Sequence, residues 1–134
     1  LPFPGVKAHL TGFYINKNDM ITSVGNGQYE QVSSAVYKGG EVDLSCSLTS
    51  SIHVSGGYSY TVATVDEYSE NASDNLEGKS LRFAPEHMAN FWLRYDSPDN
   101  GLGLGIGGNY FGNSYSDRQN EILLPSYLVL DGNI

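Results

Sequence analysis

Residues 101–112 read G-L-G-L-G-I-G-G-N-Y-F-G, an order that permits few folds. Leu102, Leu104, Ile106, Gly108 and Tyr110 share one side of a period of two, and Gly101, Gly103, Gly105, Gly107 and Asn109 share the other. Successive side chains leave opposite faces of a strand, so this period is a β signal. Glycine is a poor strand former, and a run of it needs a long sheet to hold it extended. One face is apolar and ends in a tyrosine; the other is nearly bare. The pattern predicts a strand in the wall of a large barrel.

The same alternation recurs along the chain. Strands are predicted over 6–16, 36–48, 52–62, 87–96 and 101–112, with a sixth starting at Ser126. On the second, Val42, Leu44, Cys46 and Leu48 alternate with Glu41, Asp43, Ser45 and Ser47. On the fourth, Ala89, Phe91, Leu93 and Tyr95 alternate with Met88, Asn90, Trp92 and Arg94. The connections predicted at 17–35, 65–86 and 113–125 are long, whereas 49–51 and 97–101 are tight turns rich in Ser, Pro, Asp, Asn and Gly. Strands of about 10 to 12 residues exceed those of soluble sheets and approach the length that crosses a bilayer with tilt. Alternating long and short connections are the habit of outer-membrane barrels, whose long loops lie outside the cell. A soluble lipocalin-like barrel shares the alternation turned inside out. Strand length, loop asymmetry and aromatics near strand ends (Tyr14, Tyr60, Tyr95, Tyr110) favour the membrane barrel. The fold class is therefore all-β: antiparallel up-and-down strands forming part of a large transmembrane β-barrel. Residues 1–134 read as one partial barrel domain, since 1–5 looks like a loop and Ile134 falls inside a strand pattern.

Lipid contact is too costly for carboxylates, so Glu41 and Asp43 assign their face of the second strand to the lumen, and Arg94 and Asp131 follow by the same rule. Lys+Arg 7 against Asp+Glu 15 gives a net charge of -8, which argues against nucleic acid, whose backbone needs a basic footprint. The lone Cys46 excludes an internal disulfide framework and reads as a small apolar wall residue. G-L-G-I-G-G at 103–108 matches G-x-G-x-x-G, but no helix opens on it, and its glycines simply continue the strand alternation. His9, His53 and His87 lie on three separate strands with no metal-ligand spacing. The sequon at Asn71-Ala72-Ser73 matters only in a eukaryotic secretory setting. No cofactor and no metal site is expected, and no feature points to an enzyme.

Several short motifs, taken in order, resemble a known family. They are L-E-G-K-S-L at 76–81, A-P-E-H at 84–87, F-W-L-R-Y-D at 91–96, the glycine strand through Gly112, then L-P-S-Y at 124–127 with Asp131. Upstream, F-Y-I-N-K-N-D at 13–19, Gly40-Glu41 and Y-S-Y at 58–60 fit as well. Across nearly the whole chain the sequence resembles the barrel of TonB-dependent outer-membrane receptors, most nearly the ferrichrome-type (hydroxamate) branch. It departs from the usual pattern at Gly39-Gly40 and at Cys46. The resemblance implies a barrel of about 22 strands closed by an N-terminal plug. It also implies a ferric siderophore bound at the extracellular side, energy transmitted by TonB through regions outside this chain, and a place in the bilayer of the bacterial outer membrane. The chain would then be a fragment of an active importer. A passive porin or structural outer-membrane barrel, or a soluble β-barrel binding domain, are the alternatives.

Where the lumen strand meets the loop at 113–125, aromatic faces combine with polar groups, as ligand sites do. Phe111, Tyr115, Asp117, Arg118 and Gln119 are the candidate ligand contacts. The bare glycine face is expected to leave room for the plug. Expressed alone without detergent, the 134-residue piece is expected to aggregate, because an open six-strand wall has two free edges and an uncovered apolar face. Size-exclusion chromatography checks this: a monomeric, cooperatively folding species would support the soluble alternative instead.

Overall fold

The computed structural model describes residues 5–25, 28–67, 76–99 and 101–134, with side chains described outside 19–33 and 67. The sequon at Asn71 therefore lies outside the described residues, as do Asn26-Gly27 of the first predicted loop. Among the described residues there are eight strands: β1 (Val6–Gly25), β2 (Gln28–Ser47), β3 (Ile52–Glu67), β4 (His87–Asp96), β5 (Gly103–Phe111), β6 (Ser114–Tyr115), β7 (Leu123–Leu124) and β8 (Tyr127–Asn133). Six of them form one sheet in the order β1-β2-β3-β4-β5-β8, every neighbouring pair antiparallel, and β6 and β7 form a separate small ladder.

β4 has the predicted bounds, and β3 starts at the predicted Ile52 but runs on to Glu67. One expectation is corrected. The predicted loop at 17–35 is largely strand, because β1 and β2 stay paired through Lys17↔Ala35, Asn18↔Ser34, Met20↔Val32 and on to Gly25↔Gln28. Asn16-Lys17-Asn18-Asp19 carries turn chemistry locally, but a partner strand that satisfies its backbone groups overrides that preference. The predicted loop at 113–125 also holds the two-residue ladder Ser114↔Leu124, Tyr115↔Leu123.

The tight turns follow from their residues. Thr49 Oγ1 accepts the amides of Ser51 (3.2 Å) and Ile52 (3.0 Å), and the Leu48 amide donates to Ile52 O at 2.9 Å. The Ser97 amide closes the other turn on Leu102 O at 2.8 Å, and the Asp96 amide reaches Ser51 O of the first turn at 2.8 Å.

Register turns the alternation of each strand into two continuous faces. The row Ala8↔Leu44↔Gly56↔Phe91↔Gly108↔Leu130 is apolar throughout, as is Val6↔Cys46↔Val54↔Leu93↔Ile106. Between them, on the other face, runs Lys7↔Ser45↔Ser55↔Trp92↔Gly107↔Asp131, with His9↔Asp43↔Gly57↔Asn90↔Asn109 beside it. Leu10 (86%) and Leu130 (63%) are more than half exposed, which water would penalise but hydrocarbon would not. Tyr14, Tyr58, Tyr60 and Tyr110 stand at the long-connection end of the apolar face and Tyr95 at the short-turn end, the arrangement of aromatic girdles. From Ile52 to Tyr60 the band measures roughly 26 Å along the strand at about 3.3 Å per residue.

The glycine face of β5 is covered from within the wall. A Cβ at Gly105 would stand 2.5 Å from Cζ2 of Trp92, and one at Gly107 would overlap Cε3 of the same ring. The indole of Trp92 therefore lies across the glycine track of the neighbouring strand, where any larger residue would displace it. The space that the sequence suggested for a plug is taken, at Gly105 and Gly107, by this side chain. Gly107→Val is expected to destabilise the intact barrel by about 1–3 kcal/mol through overpacking. The cost should shrink in a Trp92→Ala background, a non-additivity that urea titrations of the four proteins in detergent would measure.

Candidate ligand-binding rim

β3 extends past the end of β4, so its edge beyond Thr61, whose amide donates to Glu86 O at 2.8 Å, would be left without a partner. Residues 76–83 take that place. The Val65 amide donates to Lys79 O (2.9 Å), the Gly78 amide to Val65 O (2.9 Å) and the Leu81 amide to Ala63 O (2.9 Å), with Thr64 bridged to Ser80. Beneath this crossing lie Leu76, 2% exposed, Val65, 5% exposed, and the partly buried Leu81. Among the described residues the buried apolar side chains all lie at this end, with Ala35, Val36 and Ala63 completing them. Among the described residues the rim thus holds the buried apolar cluster of the wall.

The next connection is seated on that rim. Asn120 Oδ1 accepts the Ser80 amide at 2.7 Å, and Asn120 Nδ2 donates to Ser80 O at 2.9 Å. The Phe83 amide donates to Tyr115 O at 2.8 Å. Asn120 has φ 59, a left-handed conformation that asparagine accepts more readily than most residues. Inside the loop the Ser116 amide reaches Ile122 O (3.1 Å), and the Ser126 amide reaches Asn113 Oδ1 (2.8 Å).

The structure places the five candidate contacts as follows. Phe111 ends β5 on the polar face and stacks on Tyr127 of β8, ring centroids 4.9 Å apart and planes at 20°. Tyr115 lies in β6, half-buried, and Asp117, Arg118 and Gln119 form the half-buried bend that follows. Asp117 braces the bend itself, its carboxylate accepting the amides of Glu121 (3.0 and 3.1 Å) and Ile122 (2.7 Å). These bonds, that from Glu121 foremost, hold its carboxyl below the usual carboxylate range. Below the stack, Glu41, Asp43, Ser59, Asn90 and Asn109 line an open groove of about 300 Å³ on the polar face. Asn109 Nδ2 donates to Asp131 Oδ2 at 3.2 Å.

The three histidines are not brought together. His9 sits opposite Asp43 on the polar face. His53 lies at the short-turn end, its Nδ1 2.9 Å from Ser47 Oγ and its Nε2 3.8 Å from Asp96, whose carboxylate is held by Arg94 at 2.8–2.9 Å. His87 is on the apolar face, its Nδ1 2.7 Å from the Tyr58 hydroxyl. Among the described residues no three His, Cys, Asp or Glu side chains converge as metal ligands. Sequence reasoning missed Asn120, Ser80 and Phe83, the residues that join the two connections. An asparagine in a polar run tolerates a left-handed bend, but nothing local says which distant backbone its amide will meet.

The folded pKa of Asp117 is depressed, so its contribution to the loop is present above the unfolded pKa and is lost as pH falls through the folded one. Hydrogen-exchange protection of the Glu121 and Ile122 amides should therefore persist from neutral pH through the ordinary carboxylate range near about pH 4 and fail only below it. In Asp117→Ala it should be weak at every pH.

Comparison with known proteins bears on this architecture. Residues 3–134 match the model of the family described as TonB dependent receptor-like, beta-barrel. The ferrichrome outer membrane transporter/phage receptor of Escherichia coli K12 is 38% identical over 97 residues, covering 70% of this chain and 12% of that protein. The ferrioxamine B receptor of Salmonella typhimurium SL1344 is 33% identical over 106 residues, 77% of this chain and 14% of that protein. Among solved structures, the ferric yersiniabactin uptake receptor FyuA from Yersinia pestis superposes with a TM-score of 0.76 at 17% identity, over 97% of this chain and 20% of that one. The siderophore receptor PiuA from Acinetobacter baumannii gives 0.73 at 21%, over 96% of this chain and 19% of that one. The chain thus spans 12–14% of the length of these two curated relatives.

Proposed function

Because the chain belongs to the TonB-dependent receptor β-barrel family, we propose that it supplies six consecutive wall strands of a bacterial outer-membrane transporter that binds a ferric siderophore and imports it with energy transmitted by TonB. The observation that carries this reading is the two-faced sheet. An uninterrupted apolar face bounded by tyrosines suits lipid, and an opposite face of carboxylates, amides and serines suits a water-filled, plugged lumen. The relatives' own ligands support the substrate class. The two whose identities are 38% and 33% are named for ferrichrome and ferrioxamine B, and a catecholate siderophore receptor is 26% identical. A ferric hydroxamate is therefore the substrate proposed. TonB would act through parts of the receptor outside this chain.

In this reading the ligand approaches from the long-connection end, where the Phe111–Tyr127 stack meets the 113–126 loop. Tyr115 supplies an aromatic face, and Arg118 and Gln119 supply donors for chelate oxygens. Asp117 serves by shaping the bend that presents them. In the intact receptor, Tyr115→Ala and Arg118→Ala should each weaken ferrichrome binding about ten-fold, read by isothermal titration and by uptake of iron-labelled ferrichrome. If both leave affinity and uptake unchanged, the site lies elsewhere. Uptake that persists in cells lacking TonB would instead favour a passive pore.

A further inference from the structure

We propose that Asn120 is a positioning residue that fixes the 113–126 loop to the receptor wall and so holds the contact-bearing stretch between Tyr115 and Gln119 in its binding shape. The inference rests on the reading of that loop as the ligand site.

The support runs in a chain from the wall outward. Ser80 is bridged to Thr64 of β3, and its neighbours Lys79 and Leu81 are hydrogen-bonded to Val65 and Ala63 of the same strand. Those bonds sit over the buried Leu76–Val65 contact, so Ser80 is a fixed point of the rim. Asn120 engages both backbone groups of Ser80, accepting from its N–H at 2.7 Å and donating to its carbonyl at 2.9 Å. A side-chain amide thereby makes the pair of bonds that a neighbouring strand would make. On the far side of the bend, Tyr115 O accepts from Phe83 at 2.8 Å. The residues between Tyr115 and Asn120 are thus suspended between two attachments to one fixed segment, and the Asp117 carboxylate ties the interior of the bend.

A loop held in this way has its ordering cost met before any ligand arrives, which raises affinity without adding a contact. Asn120 has no need to touch the chelate. Its amide suits this attachment because it is donor and acceptor at once, and its backbone tolerates the left-handed φ.

Asn120→Gly separates the two roles, since glycine keeps the backbone conformation and removes the amide. In the intact receptor this variant should raise the ferrichrome concentration for half-maximal uptake about ten-fold, the effect of losing a half-buried hydrogen-bonded pair. The uptake rate at saturating ferrichrome and the amount of folded receptor in the outer membrane should stay at the wild-type level. Hydrogen exchange across 115–119 should speed up in the same variant. An unmoved half-saturation in Asn120→Gly, where Tyr115→Ala does weaken binding, would overturn this inference alone. A fall in receptor amount and saturating rate with half-saturation unmoved would show a purely structural residue and also overturn it. If Tyr115→Ala and Arg118→Ala leave half-saturation unmoved too, the reading of the site fails and this inference falls with it.

Discussion

Everything in this molecule depends on one register of backbone hydrogen bonds shared by six strands. In hydrocarbon no water is available to an unpaired amide, so each strand must satisfy its backbone through its neighbours. Once paired, the strands have no freedom over which side chains face outward, because a slip of one residue exchanges the two faces. Such a slip in β2 would bring Glu41 and Asp43 out beside Leu10 and Tyr58, at a cost that a lipid-facing wall would not tolerate. Hydrophobic patterning thus selects the register, and the register in turn sets the polar row from His9 to Asn109.

The outer end obeys different physics. Above the tyrosines the strands β1, β2 and β3 continue as ordinary paired backbone. The overhang of β3 offers an edge; residues 76–83 cover it, and the 113–126 loop is fastened to the cover. Stability at the rim comes from a small apolar cluster and directed hydrogen bonds, whereas the wall below relies on its surroundings to cover its apolar face. The rim thus keeps its shape through contacts of its own.

Much of this was legible in the sequence, and the limits have physical causes. Period-two alternation found β4 residue for residue and put Glu41, Asp43, Arg94 and Asp131 on one shared polar face. Turn chemistry located the connections at 49–51 and 97–101. The pairing of 17–25 with 28–35 escaped because local preference for a turn was outweighed by a partner strand, which no single segment reveals. The bare face of β5 was visible, but its occupant was not: Trp92 lies on the neighbouring strand and is brought over Gly105 and Gly107 only by register. The family motifs gave the architecture its meaning, while Asn120 could be recognised only once Ser80 stood opposite it.

At the short-turn end, the Asp96 amide bonds to Ser51 O, so two successive hairpins are joined directly at their tips. Little length can be added to either turn without breaking that link or the Thr49 bonds beside it. Added length is better tolerated at the opposite end, where connections can lengthen without disturbing the strands that carry them. A wall anchored in this way keeps its dimensions at one end and leaves freedom of length to the other.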